Sequence, residues 1–263
     1  MSRLVDKLTR TATRNASQPM GFRTARADRD QPKMLVIARV KMDNTGQIAD
    51  YVTGADGVWL HSARARLTPK AMQPVTESIS DIPCGVSLED AGTGNNKALK
   101  KVGCDFLVLT DSSPVDAMPK EEDDIGTILG IEPSLEDSLI RVINNLPVDA
   151  VLTNVIKKAS TTLAWHDLMS LQRLGLLLTK PLLVQVSPGI SSSELKAIHE
   201  ADVDGIVVEA NPVKPDYFKE MRKTISELPP HTTRKRAKSE ALLPFTGSPQ
   251  PAATPDEDDG DYE

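Results

Sequence analysis

Short runs of Leu, Ile and Val recur along the chain with a shared pattern. "ADGVWLH" (55–61), "CDFLVLT" (104–110), "VDAVLTN" (148–154) and "VDGIVVE" (203–209) each place a small or apolar residue before an Asp, then a β-rich run that ends in a polar residue. Interleaved with them are "KMLVIAR" (33–39), "PCGVSLE" (83–89), "GTILGIE" (126–132) and "PLLVQVS" (181–187). Strand starts therefore recur eight times, about every 20–30 residues, and most intervals carry apolar residues at helical spacing. Strand alternating with helix predicts parallel βαβ units.

Helix boundaries support this. In "LTPKAMQPV" Thr68 is the expected N-cap and Pro69 the first helical residue. In "SSSELKAIHEA" Ser191 and Glu194 have capping-box spacing, with Leu195, Ile198 and His199 on one face. "SLEDSLIRVINNL" has Leu135, Leu139, Val142, Ile143 and Leu146 at helical spacing. "SSPVDAMPKEEDD" is too poor in periodicity for a full helix, so a loop with a short helical turn is expected there. "RLVDKLTRTATR" reads as a short helix packed on the domain by Leu4, Val5 and Leu8, with a weak amphipathic targeting helix as the alternative. Eight such units predict a (β/α)8 TIM barrel over 33–228, with a doubly wound open sheet as runner-up. Residues 1–32 form an N-terminal extension. Residues 229–263, rich in Pro, Ser and acidic residues, read as a disordered tail.

Alternation along the strands then sorts side chains. Leu182, Val184 and Val186 form the apolar parity that faces the helices, so Leu183, Gln185 and Ser187 face inward. Applied to all eight strands, the last inward positions are Arg39, His61, Glu89, Thr110, Glu132, Asn154, Ser187 and Glu209, every one polar. The positions one step below are mostly apolar, Trp59 among them. The polar ring lies at the C-terminal mouth, where barrels of this kind carry their sites, although any mouth meets water. Glu89 and Glu132 lack a fixed cation on their own strands and invite a divalent ion such as Mg, a shared proton or a cationic ligand. The alternative is a lysine, Lys41 or Lys157, folded over to pair with them. Arg39, beside Glu209 across the closure of the barrel, can neutralise that third carboxylate. His61 is the one mouth histidine, fit for acid/base work or as a hydrogen-bonded spacer beside Glu89. His166 and His199 fall in helices and His231 in the tail, which rules out a multi-histidine zinc cluster. Cys84 and Cys104 start strands at the opposite end and read as buried small residues.

Charge and composition narrow the class. The net charge is −6, and residues 33–228 hold 20 Lys and Arg against 27 Asp and Glu, which leaves no footprint for nucleic acid. Aromatic residues, at 3%, offer few stacking platforms. No apolar run reaches the length of a membrane span, and no secretory signal is evident. Two cysteines do not make a disulfide framework, so a cytoplasmic protein is expected.

"VSPGISSSELKAIHEADVDGIVV" (186–208) resembles the seventh-strand, helix, eighth-strand passage of the aldolase-type TIM-barrel superfamily, notably its phosphate-binding members such as the nicotinate-nucleotide pyrophosphorylase and indole-glycerol-phosphate synthase families. Those read Gly-Gly-Ile or similar after strand seven and a Gly soon after strand eight. Here Pro188 stands at the first Gly, Gly189 at the second, and "EANPVKP" has none. The resemblance implies a lyase or isomerase acting on a small anionic or phosphorylated metabolite. No inward position is Lys, which speaks against Schiff-base chemistry. His61, Glu89 and Glu132 are then the catalytic candidates, with Glu89 and Glu132 as metal ligands. Arg39, Lys41, Thr110, Asn154, Lys157, Gln185, Ser187, Gly189 and Glu209 are the substrate contacts. A second reading is a catalytically inactive barrel serving as a binding or scaffold module. In the tail, "RKRAKSEALLPF" (234–245) pairs a basic run with an apolar island, which either docks back on the barrel or recruits a protein partner. Homo-oligomerisation is open.

Overall fold

The computed structural model describes residues 2–15, 32–42, 48–62, 67–79, 81–92, 96–120, 123–154, 162–210 and 216–229. After helix α1 (Arg3–Asn15) come β1 (Leu35–Lys41), α2 (Ile48–Val52), β2 (Gly57–His61), α3 (Pro69–Ser78) and β3 (Cys84–Ser87). Two short helices, α4 (Leu88–Ala91) and α5 (Asn96–Lys101), lead to β4 (Cys104–Leu109). The described part of the next crossover holds no α-helix, only the 3₁₀ turn Val115–Ala117 and 3₁₀ geometry at Asp123, before β5 (Gly126–Ile131). The chain continues through α6 (Asp137–Ile143), β6 (Ala150–Thr153), α7 (Trp165–Leu177), β7 (Leu182–Val186), α8 (Ser192–Glu200), β8 (Gly205–Glu209) and α9 (Tyr217–Glu227). Neighbouring strands pair in sequence order, all parallel, and β8 pairs β1 to close the barrel. The open-sheet alternative is excluded. The tail from 230 onward, and the question of its order, lie outside the described residues, as do 16–31.

The repeated Asp explains how the ladder is anchored at its N-terminal end. Asp56, Asp149 and Asp204 each precede an even-numbered strand and accept a backbone N–H from the preceding odd one. Val36 N donates to Asp56 Oδ2 at 3.0 Å, Thr127 N to Asp149 Oδ2 at 2.7 Å and Leu182 N to Asp204 Oδ2 at 2.9 Å. A charged acceptor makes each bond stronger than a neutral one and satisfies a donor where the ladder begins. Asp105 departs from this. The β3–β4 register shifts between Cys84 and Gly85, and the Asp105 carboxylate instead receives Ser2 Oγ at 2.7 Å and the N–H groups of Arg3 and Leu4, each at 2.9 Å. It caps α1, whose first backbone donors have no partner within the helix.

That cap sets a plug. Leu4 and Leu8 of α1 are fully buried and join the barrel interior formed by Leu35, Ile37, Trp59, Phe106, Val108 and their neighbours. A Cβ on Gly126 would come within 2.5 Å of Val5 Cγ2, and one on Gly85 within 2.4 Å of the Phe106 ring, so both strands need glycine for close approach. Ile37, Val108, Leu152, Leu183 and Val207 line the interior as alternation predicted, while Val36, Leu107, Val151, Val184 and Ile206 pack against the helix layer. Cys84 and Cys104 are buried, paired in register at the start of β3 and β4, as expected.

One local expectation is corrected and one helix face is settled. β3 ends at Ser87, and Leu88–Ala91 turn at once into α4, so Glu89 stands on a helix rather than on the strand. In α6 the barrel buries Ile140 and Ile143, whereas Leu139 and Val142 are about half exposed and Leu146 lies at the surface beyond the helix. The apolar residues there exceed one helical face; Ile140 took the place on the core side.

The plug gives the first prediction. Asp105→Ala removes a cap and three bonds to a charged acceptor, and should cost about 3 kcal/mol in urea denaturation. Gly126→Ala crowds the same helix, so a double-mutant cycle should show the two changes coupled rather than additive. The second concerns acid. Burial pushes the His199 imidazole below its ordinary pKa, partly offset by the Pro229 carbonyl that its Nε2–H meets at 3.2 Å. The unfolded chain then binds more protons below about pH 6.5, so stability should fall as pH drops from there, by at most about 1.4 kcal/mol per pH unit for this group, and be unaffected by it above. His199→Gln should flatten that part of the stability–pH curve.

Candidate functional site

Three strands bring the tightest polar cluster together. Arg39 and Glu209 are register partners across the β8–β1 seam, and His61 ends the adjacent β2. Glu209 holds both neighbours. Its Oε2 lies 3.3 Å from Arg39 Nη1 and its Oε1 2.9 Å from His61 Nε2. A carboxylate at that distance keeps the imidazole proton on Nε2 and leaves Nδ1 as the basic nitrogen. The Arg39 guanidinium stacks over Trp59, 4.7 Å from the ring centroid, and Trp59 Nε1 donates to Ser87 Oγ at 3.1 Å. Arg39 Nε is buried and has no hydrogen-bond partner among the described residues. The cation is thus positioned by a ring, half-neutralised by a carboxylate, and keeps an unused donor.

The rest of the mouth is looser. Glu89 and Glu132 are both exposed. Thr110 Oγ1 donates to Glu89 Oε1 at 3.0 Å, and Ser134 Oγ to Glu132 Oε2 at 3.3 Å. Glu132 and Asn154 border a recess of about 670 Å3 completed by His166, Met169 and Arg173. The eight polar strand ends therefore do not form an even ring. The β8–β1–β2 side is half-buried and interlocked, while Glu89, Glu132 and Asn154 meet solvent on the other side. Lys41 is half-buried beside His61 in register. Lys157 lies outside the described residues. Gln185 and Ser187 are half-buried on β7 and just after it, and Gly189 is exposed with open space around its Cα.

The resemblance of 186–208 to phosphate-binding barrels directs attention to the N-terminus of α8. That terminus is already occupied by the helix's own side chains. Ser191 Oγ accepts from Glu194 N at 3.3 Å, and the Glu194 carboxylate receives Ser191 N at 2.8 Å and Leu163 N at 2.7 Å. These backbone donors hold the Glu194 carboxyl below its usual range, as a fixed anion at the positive end of α8.

Strand logic missed two residues. Asp90, on α4, accepts Ser62 N at 3.2 Å, and burial raises its pKa while that N–H and nearby His61 pull it back. It follows Glu89 directly, yet assigning 88–89 to a strand gave it no place near His61. His166 was assigned to a helix, where it does lie, but the spacing gave no sign that α7 carries it to the mouth. As for metals, no group of three or more His, Cys, Asp or Glu among the described residues could hold an ion, so one at Glu89 and Glu132 would rely on water or substrate for its other oxygens. No described helix is long and apolar enough to cross a membrane.

No protein-family model matches the chain, and no curated protein does. Solved structures do. Several are of the tryptophan synthase alpha-subunit from the hyperthermophile Pyrococcus furiosus. One mutant of that subunit superposes with a TM-score of 0.56 at 15% identity, covering 74% of this chain and 97% of the other. A second mutant gives 0.57 at 14%, and the subunit described by X-ray analysis and calorimetry 0.56 at 14%, with the same coverage. Likeness at this identity concerns the backbone alone, and what it shares with the chain is the closed (β/α)8-barrel fold.

Proposed function

We propose that the mouth binds a small anionic compound and moves a proton on it, as a lyase or isomerase does. The observation that carries this is the Arg39–Glu209–His61 network, with its one buried unused donor. Arg39, helped by Lys41, holds the anion. Glu209 fixes the His61 tautomer, and His61 Nδ1 exchanges the proton. Gln185 and Ser187 supply neutral hydrogen bonds from the β7 side, with Gly189 beyond them leaving backbone accessible. Thr110, Asn154 and Lys157 would contact the far end of a longer substrate. Glu89 and Glu132 would act there as acid/base groups or, with substrate oxygens, hold a divalent ion such as Mg. A carboxylate ligand fits this arrangement better than a phosphate, because Glu194 fills the helix terminus that a phosphate would use.

One observation favours the second reading, a barrel that binds without turnover: two of the three proposed acid/base side chains, Glu89 and Glu132, are exposed, where water weakens their chemistry. A thermal-shift screen of small carboxylates and sugar phosphates, with and without Mg, tests for the anion site, and an assay for conversion of any ligand it finds separates the two readings. A true ligand at about 100 times its Kd adds about 2.7 kcal/mol, or roughly 5–10 °C for a domain of this size. If none raises the melting temperature, the anion-site reading fails; a ligand that raises it without being converted favours the binding module.

Variants then test the roles. Glu209→Gln removes a charge that repels a bound anion by roughly 2 kcal/mol at about 8 Å and an effective dielectric near 20. It should therefore tighten anion binding by more than tenfold while lowering turnover, since His61 loses its orienting carboxylate. His61→Gln should leave the thermal shift intact and abolish turnover. Arg39→Lys, unable to stack or to present the same fork, should lose most of the shift. Equal binding by wild type and Arg39→Lys would remove Arg39 from the site.

A further inference from the structure

The large apolar side chains exposed among the described residues all fall between 115 and 176, on the β4–β5 crossover, on α6 and the turn after it, and on α7. Part of that face is a groove. Other crossovers lay α-helices over the strands, but the one between β4 and β5 contributes only 3₁₀ geometry, at Val115–Ala117 and Asp123, among its described residues. The outer surface of β4 and β5 is left with a cleft of about 360 Å3, floored by Leu109, Leu129 and Ile131 and rimmed by Val115, Leu139 and Val142. Val115 is 89% exposed and Val142 51%. Nothing in the described chain covers this rim, whose aliphatic surface favours an apolar occupant.

We infer that the groove is covered by the chain's own segment Ala241–Phe245, "ALLPF", with the basic run at 234–238 lying against the acidic β4–β5 crossover. Three observations lead there. The first is chemistry: Leu242, Leu243 and Phe245 are the large apolar residues of a tail otherwise polar and acidic, and Pro244 keeps such a segment extended. The second is charge: "RKRAK" has four cations in five residues, and the crossover carries Asp111 and Asp116 and then reads "EEDD" at 121–124. Opposite charges of this density orient a docking segment and set its direction.

The third is reach. Pro229, whose carbonyl meets His199 Nε2, ends the described chain at the N-terminal end of the strands. Leu146, Pro147 and Val148, at one end of the groove, precede β6 and lie at that same end. The thirteen steps from Pro229 to Leu242 span at most roughly 43–47 Å at about 3.3–3.6 Å each. A body of about 200 residues has a radius of gyration near 16 Å, so the segment can cross the base of the barrel and enter the cleft. The tether also raises the local concentration of the segment far above that of a separate partner.

The test uses the full chain. Val142→Cys combined with Leu243→Cys is oxidised at low protein concentration, and the products are read by non-reducing electrophoresis and peptide mass. The native thiols do not compete, since Cys84 and Cys104 are buried, with burial raising both pKa values, that of Cys104 to about 12. The control pairs Leu243→Cys with Lys223→Cys, on the exposed side of α9. The expected result is an intramolecular link to position 142 at least tenfold faster than to position 223. Reversing the basic run with Arg234→Glu, Lys235→Glu and Arg236→Glu should slow it several-fold. Leu243→Asp with Phe245→Asp, in an otherwise native chain, should increase binding of an apolar dye. Equal linking rates at 142 and 223, or dye binding unchanged by the aspartates, would overturn the inference. A covalent dimer formed by Val142→Cys alone, faster than any intramolecular link, would overturn it in favour of a second copy on the same face.

Discussion

An aspartate carboxylate that accepts a backbone N–H from the strand before it is the interaction on which this barrel is built. It occurs at Asp56, Asp149 and Asp204, each time at the point where an even strand starts beside an odd one. A parallel ladder has no hairpin to set its register, so register must come from side chains. These carboxylates supply it: a one-residue slip would remove the acceptor from its donor and turn each strand's interior residues toward the helices. The pairs divide the barrel into strand couples, and the side chains at the mouth inherit their alignment from this end. Arg39 faces Glu209 because Leu35 and Gly205, four residues below, are register partners.

The fourth aspartate shows what happens when that duty is released. With the β3–β4 register shifted, the buried Asp105 carboxylate turns from the ladder to α1, and α1 fills the base with Leu4 and Leu8. With Leu4 and Leu8 filling the base, the mouth is the end of the interior that its polar side chains leave open among the described residues. The mouth itself is uneven. Interlocked side chains at β8, β1 and β2 form a rigid half, and single hydroxyl bonds to Glu89 and Glu132 form a solvated half, so the first half is where a geometry-dependent step belongs.

Much of this was legible in the chain. The repeated Asp and the alternation after it gave eight strands, the closed barrel and the inward parity, because period-two patterning is a local property of each strand. The Thr68 cap, the Ser191–Glu194 capping box, the Arg39–Glu209 pair and the buried cysteines were legible too. What failed depended on competition between neighbours. "PCGVSLE" reads as strand by its repeat pattern, but Leu88, Glu89 and Ala91 are good helix formers, and the turn they make after Ser87 ends the strand early and lifts Glu89 away from its expected inward position. In α6, Ile140 competes with Leu139 and Val142 for the core side, and periodicity could not rank them. The aspartate repeat was visible while its purpose was not, since a hydrogen bond to a strand some 20 residues earlier leaves no mark in spacing.

The α1 plug has a temporal side. Ser2 and Leu4 depend on a carboxylate about a hundred residues downstream. During synthesis at about 5–20 residues per second, the amphipathic first helix emerges roughly 5–20 s before its anchor does. Over that interval Leu4, Val5 and Leu8 have no barrel to enter, and the helix is too short to hold its shape unaided. A helix made about a hundred residues ahead of its anchor is thus seated late, and a chain stalled before β4 would present Leu4, Val5 and Leu8 to whatever stands at the ribosome exit.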